Sequence, residues 1–274
     1  MKPTQHQKAL QFQQLHQRPG PFLIPNPWDA GSARILAGLG FEAFTTSSAA
    51  AAAVLGRRDG KLTRDEALEH SRVIIAATDL PVAADLEHGF GDTPENVAET
   101  IRLAGGVGLV GGSIEDARAG RDKPIYDPGL AVERVAAAVE AARALPHPFI
   151  FVARCENFVR GNPNLDDTIK RLQAYEKAGA DALFAPGLPD LAAVRAVCSA
   201  VSKPVNVAVG VKGRSFTVAE LAGAGVKRIS FAAALYRAAM TGLVDAAKEA
   251  RAHGTFAALE RAMPTAELNR YLPE

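Results

Sequence analysis

In the stretch VAADLEHGFGD, residues 82–92, three apolar residues lead into Asp85, Glu87 and His88, and two glycines flank Phe90. Three titratable groups within four positions, where an apolar run should stop, cost free energy if buried without partners. GGSIEDAR brings Ser113, Glu115 and Asp116 to the end of a second apolar run, and FVARCEN brings Arg154 and Glu156 to a third. Strand side chains alternate between faces. Asp85 and Glu87 therefore share a face, as do Ser113 and Glu115, and as do Val152, Arg154 and Glu156. Asp85, Glu87 and Glu115 then converge, and carboxylates so close do not all stay ionised unaided. Either a pKa rises or a cation sits among them. Oxygen donors without a His/Cys set favour a hard ion such as Mg²⁺, which keeps several waters and needs only one or two direct carboxylates. Arg154 either neutralises part of the cluster or grips a substrate carboxylate with its planar fork.

Elements at regular intervals must place these groups. Eight short apolar runs, PFLIP, FEAFTTS, LPVAADL, VGLVGGSIE, PFIFVAR, DALFAPG, PVNVAV and RISFAA, alternate with helical patterns. Thr63 and Glu66 form a capping box, Pro94 suits a helix start, and glycines close helices in LAGLGFEAF, EKAGADALF and LAGAGVKRI. Eight β–α units in one chain of 274 residues, with no linker and no GxGxxG after the first run, predict an α/β fold. Its form is a single (β/α)8 TIM barrel spanning 1–274, rather than an open doubly wound sheet. Residues 4–17 add a helix that closes the barrel bottom or meets a partner, and 255–274 form a C-terminal helical extension. Chemistry in such barrels sits where strands end. There the chain carries Asn26, Trp28 and Asp29, then Thr46, Ser47 and Ser48, then the charged groups above, and Asn206 on the seventh strand.

Composition narrows the partners. A net charge of +1 leaves no basic excess for nucleic acid. No run approaches the roughly 20 apolar residues of a membrane span, and the Gln-rich start lacks the apolar centre of a secretory signal. Two cysteines make neither a disulfide framework nor a zinc site, so a cytoplasmic protein is expected. Cys155 and Cys198 read as packing. His88 reads as a loop residue or a ligand, Trp28 as core or pocket wall, and GRRDG as a solvated turn or a lid.

Four segments taken in order, NPWDAGSARILAGLGFEAFTTSSAAAAAVLGRRDG, VAADLEHGFGD, SIEDARAG and VARCEN, resemble the isocitrate lyase / phosphoenolpyruvate mutase superfamily. The likeness runs along nearly the whole chain. It implies chemistry through an enolate of a small 2-oxo acid bound to Mg²⁺, or Mn²⁺ in its place, with a C–C or P–C bond made or broken beside it. It implies that Asp85 is the main metal carboxylate and that Glu87 and Glu115 hold metal-bound waters. Ser47, with backbone N–H groups near Ser48 and Ala49, would hold the substrate carboxylate or enolate oxygen. Trp28 would pack on the substrate, Asn206 would join the substrate site, and Arg154, Asp59 and Glu115 would form the catalytic set. A homotetramer, a dimer of dimers with the last barrel helix exchanged, is also implied.

Two departures stand out. Glu87 occupies a position where the superfamily usually has the shorter Asp, and ARAGRDKPIYDPG lacks the K-K-C-G cysteine of the lyase branch. That segment offers Arg118, Arg121, Lys123 and Tyr126 to an anionic substrate, with Tyr126 as a proton donor. The leading expectation is a Mg²⁺-dependent C–C lyase or decarboxylase acting on a small 2-oxo or 2-hydroxy carboxylate. The alternatives are P–C chemistry of the phosphonopyruvate hydrolase or phosphoenolpyruvate mutase type, and a catalytically silent 2-oxo acid binder. A phosphosugar barrel fits less well, because ISFAAAL lacks the glycines its phosphate site needs.

Overall fold

The computed structural model describes residues 2–118, 125–211 and 215–272. Eight strands alternate with helices: β1 (Phe22–Ile24), β2 (Phe44–Thr45), β3 (Val82–Asp85), β4 (Gly111–Glu115), β5 (Ile150–Arg154), β6 (Ala182–Phe184), β7 (Val205–Ala208) and β8 (Arg228–Ser230). The helices are α1 (Gln5–Gln17), α2 (Ala30–Gly38), α3 (Ser48–Val54), α4 (Arg64–Ala77), α5 (Pro94–Gly106), α6 (Pro128–Arg143), α7 (Leu165–Lys177), α8 (Leu191–Ala200), α9 (Val218–Gly223), α10 (Ala234–His253) and α11 (Thr265–Leu268). All strand pairs are parallel, in the order β1-β8-β7-β6-β5-β4-β3-β2. The seam between β1 and β2 is bridged by the Thr45 N–H on the Pro25 carbonyl at 3.1 Å. This is the expected (β/α)8 barrel. Local signals hold at the residues that carried them: Thr63 and Glu66 complete a capping box on α4, and Pro94 opens α5 behind a Thr93 cap.

Alternation sorts the apolar residues into two layers. Phe149, Phe151, Ala153 and Cys155 face the helices, together with Val97, Ile101 and Leu172. Ile150 and Val152 face the barrel interior with Phe22, Ile24, Ala83 and Ala182. Helix α1 closes the bottom of that interior with Ala9, Phe12 and Leu15. Gly111 makes the close approach possible, since a Cβ there would stand 2.8 Å from both the Phe12 ring and the Ile150 carbonyl.

The plug contains a titratable group. His16 on α1 is buried edge-on between Phe12 and Phe22, at 4.7 and 4.9 Å, and its Nδ1 lies 2.8 Å from the Phe12 carbonyl. Burial, followed by the charges of Arg228 and Lys227, lowers its pKa to about 3. The unfolded chain then binds more protons than the native one between about 3 and the ordinary 6.5, so this contribution is complete above 6.5 and lost as pH falls. Between pH 7 and pH 5 the protein is expected to lose about 2 kcal/mol more stability than His16→Leu does, measured by urea unfolding.

The C-terminal extension is helical, ending in short turns around α11. Helix α10 has no buried residue and exposes Leu243 and Val244, and Phe256 and Leu259 beyond it are also exposed. No helix among the described residues is long and apolar enough to cross a membrane.

Candidate active site

The ends of β3, β4 and β5 meet at one side of a cavity of about 500 Å³ that also reaches β7 and β8. In register, Asp85 stands beside Ser113, and Glu115 beside Arg154. The Arg154 guanidinium contacts three carboxylates: Nε to Glu156 at 2.5 Å, Nη2 to Glu115 at 3.3 Å and Nη1 to Asp85 at 3.4 Å. Phe184 of β6 supports it from one face, 5.5 Å away. Three carboxylates around one cation would be poorly balanced; Arg160 supplies a second, bonding Glu115 at 2.8 Å and Glu156 at 3.3 Å. Burial raises the Glu115 pKa while Arg154 opposes the shift.

Asp85 lines the cavity and is held from two directions. The Ser48 and Glu87 amides donate to its two oxygens, each at 3.2 Å. The Ser48 hydroxyl donates to Asp59 at 2.9 Å, which draws the loop after α3 to the same wall. Ser47, Ser48, Ala49 and Asp59 all line the cavity. Ser47 is also the N-cap of α3, accepting from the Ala50 amide at 3.5 Å. Asn206 reaches the cavity from β7, with its Nδ2 on the Ser230 hydroxyl at 3.0 Å.

Other expectations change. The shared face of Asp85 and Glu87 fails because β3 ends at Asp85 and Glu87 takes a left-handed backbone, φ +49°. Glu87 is buried outside the cavity lining, and among the described residues its Oε1 has no partner. Burial, then the charges of Asp85 and Asp59, push its pKa up to about 8, against Arg154. Among the described residues no group of three or more His, Cys, Asp or Glu side chains is gathered tightly enough to hold a metal by itself. The expected convergence of Asp85, Glu87 and Glu115 is thus replaced by Asp85 and Glu115 converging on Arg154, with Glu87 near Asp85 but outside that set of contacts. An oxygen-only set still suits a hard ion that keeps most of its waters, and the unpartnered Glu87 oxygen offers it an acceptor.

Trp28 lies outside the cavity lining, its ring edge-on to Tyr236 of α10 at 5.6 Å. Tyr126 is not a proton donor to the cavity. It is buried, its hydroxyl donates to Asp92 at 2.7 Å, and burial together with that carboxylate raises its pKa. Arg118 is occupied by the same Asp92 at 2.5 Å and by the Tyr126 ring. Arg121 and Lys123 lie outside the described residues. Cys155 is buried on the helix-facing side, and burial raises its thiol pKa, which fits packing.

Three arginines complete the site without having stood out in the sequence. Arg160 follows Glu156 at i+4, a spacing that signals pairing. Arg134 sits on the apolar stripe of α6 with Ala131, Val135 and Ala138, an interruption that could have marked it. Its guanidinium holds the Gly91 carbonyl at 2.8 Å, the Asp92 carbonyl at 2.5 Å and the His88 carbonyl, so it fixes the turn after Asp85. Arg228 opens β8 and lines the cavity. Asp116 faces away from the cavity, bonded by the Glu156 amide at 2.8 Å, the Tyr175 hydroxyl at 2.5 Å and Arg171 at 3.3 Å.

Residues 12–251 match the family model described as phosphoenolpyruvate phosphomutase. A crystal structure from Burkholderia cenocepacia, described only as a candidate lyase/mutase, is 53% identical with a TM-score of 0.95, covering 98% of this chain and 97% of that one. The 2-methylisocitrate lyase of Escherichia coli is 31% identical over 85% of this chain and 81% of its own. An oxaloacetate decarboxylase of Bradyrhizobium diazoefficiens is 35% identical over 65% of this chain and 62% of its own.

Proposed function

Because the chain belongs to the phosphoenolpyruvate mutase / isocitrate lyase superfamily, we propose that it is a Mg²⁺-dependent enzyme cleaving a C–C bond of a small 2-oxo or 2-hydroxy carboxylate, as a lyase or decarboxylase. The observation that carries this is Arg154, fixed by three carboxylates at a cavity wall that also carries Asp85 and the α3 N-terminal segment. Asp85 would hold the ion, with Glu87 and Glu115 accepting from its waters. A bound Mg²⁺ would supply a Lewis acid for the substrate's 2-oxo or 2-hydroxyl oxygen. Arg154, already oriented, would meet the charge that develops on the enolate when the adjacent bond breaks, so little reorganisation is needed. Its three partners also hold the guanidinium against rotation, which keeps the donor geometry ready.

The lyase and decarboxylase relatives support C–C chemistry. Asp59, drawn to the cavity by Ser48, keeps a second reading open, P–C cleavage. A substrate panel separates them. With Mg²⁺, oxaloacetate or 2-methylisocitrate is expected to yield pyruvate, and chelation should abolish turnover. Phosphate release from phosphonopyruvate alone would select the second reading. Binding without conversion of any of the three would leave a silent 2-oxo acid binder.

The uncovered α10 and the apolar groups exposed beyond it support assembly into the homotetramer implied by the resemblance. Light scattering is expected to give four times the chain mass, and a monomer mass would refute it.

A further inference from the structure

We propose that Arg228 is a specificity-determining residue, binding a second anionic group of the substrate, so that the cavity selects dicarboxylates over monocarboxylates. The inference rests on the cavity being a substrate site, as proposed above.

Arg228 is 4% exposed and lines the cavity from β8. Its Nε and Nη1 are buried and, among the described residues, have no hydrogen-bond partner. Among the described residues no carboxylate offsets it, and burial alone draws its pKa down, to about 10. It remains a cation at neutral pH. The Phe12 ring of the α1 plug lies 5.7 Å from the guanidinium carbon, and the other titratable group there, His16, is neutral near pH 7. Arg154 contrasts sharply, with three carboxylates around it. A buried arginine without an acceptor is a costly arrangement unless a ligand supplies one. A carboxylate matches its planar fork.

Placement favours a bridging substrate. Arg154, Phe184, Asn206 and Arg228 occupy one register row across β5, β6, β7 and β8. Three strand spacings separate the two arginines, about 14 Å of barrel wall, and both side chains point inward. Asn206, beside Arg228 in that row, has an unpartnered buried Oδ1. Its amide can turn over, so that Oδ1 accepts from the Ser230 hydroxyl and the NH₂ presents an N–H to the same anion. One carboxylate of the substrate at the Asp85–Arg154 end and another at Arg228 would satisfy both poles of the cavity.

The test measures binding rather than turnover, on the full chain with Mg²⁺, by calorimetry. Succinate supplies two carboxylates on four carbons, and butyrate supplies one on the same length. The wild type is expected to bind succinate about 10- to 100-fold more tightly than butyrate, and Arg228→Gln to shrink that ratio to about 3-fold or less. Arg228→Lys, which keeps the charge but not the fork, should recover part of the preference. Equal affinities in the wild type, or an unchanged ratio in Arg228→Gln, overturn the proposal and leave Arg228 as a support for the plug. Should Arg228→Gln fail to fold, the wild-type ratio and the Arg228→Lys ratio decide. Failure of the substrate panel would not alter these ratios, and their failure would not alter the panel, so the two readings fall separately.

Discussion

Asp85→Asn is expected to lower kcat/KM about 100- to 1,000-fold and to raise the Mg²⁺ concentration needed for half-activity. The substitution is close in shape but wrong in polarity. Both Asp85 oxygens receive backbone donors, Glu87 N–H on one and Ser48 N–H on the other, and the first also faces Arg154. An amide has one acceptor oxygen, so its NH₂ must confront an N–H whichever way it is turned. The unmatched donors cost about 1–3 kcal/mol, enough to lower the melting temperature by several degrees in a chain of this size. Activity falls further because the charge that would hold the ion is gone. Steady-state kinetics at saturating Mg²⁺, with an Mg²⁺ titration and circular dichroism, separate the two losses. A folded Asp85→Asn enzyme within tenfold of wild type would remove Asp85 from the metal-holding role.

The barrel was legible because its signals are local. The Thr63–Glu66 box, Pro94 and the glycines after helices each act within a few residues of themselves, and eight apolar runs need only be counted. The site was legible where it lay on strands. Alternation held along β5, where Val152 and Arg154 share the cavity face and Cys155 turns to the helices, because all three lie in or just after its regular backbone. The same rule failed two residues beyond β3, where Glu87 adopts φ +49° and the period of two no longer applies. The FEAFTTS run shortened to Phe44–Thr45 for a related reason: Ser47 leaves the strand to cap α3. Tyr126 was misread because its partner Asp92 comes from a separate segment, 34 positions earlier. Counter-charges have the same difficulty. Arg134 meets the turn after Asp85 from 43 positions away, and Arg160 meets Glu115 from 45. Nothing in the local pattern states which acid a distant arginine will reach.

Removing the central cation tests whether this balance is the organising feature of the site. Arg154→Met keeps much of the side-chain volume over Phe184 but leaves Asp85, Glu115 and Glu156 facing one another with Arg160 as the remaining cation in contact. Breaking a buried pair by removing one partner typically costs 3–5 kcal/mol. With the Arg154 side chain 18% exposed toward the cavity, water screens part of that repulsion, and about 3 kcal/mol is expected in urea unfolding. Turnover should fall by at least about 1,000-fold, because the donor aimed at the developing negative charge is lost. The decisive comparison is the double variant. Adding Glu115→Gln to Arg154→Met removes one of the stranded charges, so stability should recover by about 1 kcal/mol or more, whereas Glu115→Gln alone should destabilise the protein by taking a partner from both Arg154 and Arg160. Activity should not recover in the double variant. A purely steric role for Arg154 predicts additive losses instead, so a cycle with no coupling between the two positions would show that the charge balance is not what holds the site together.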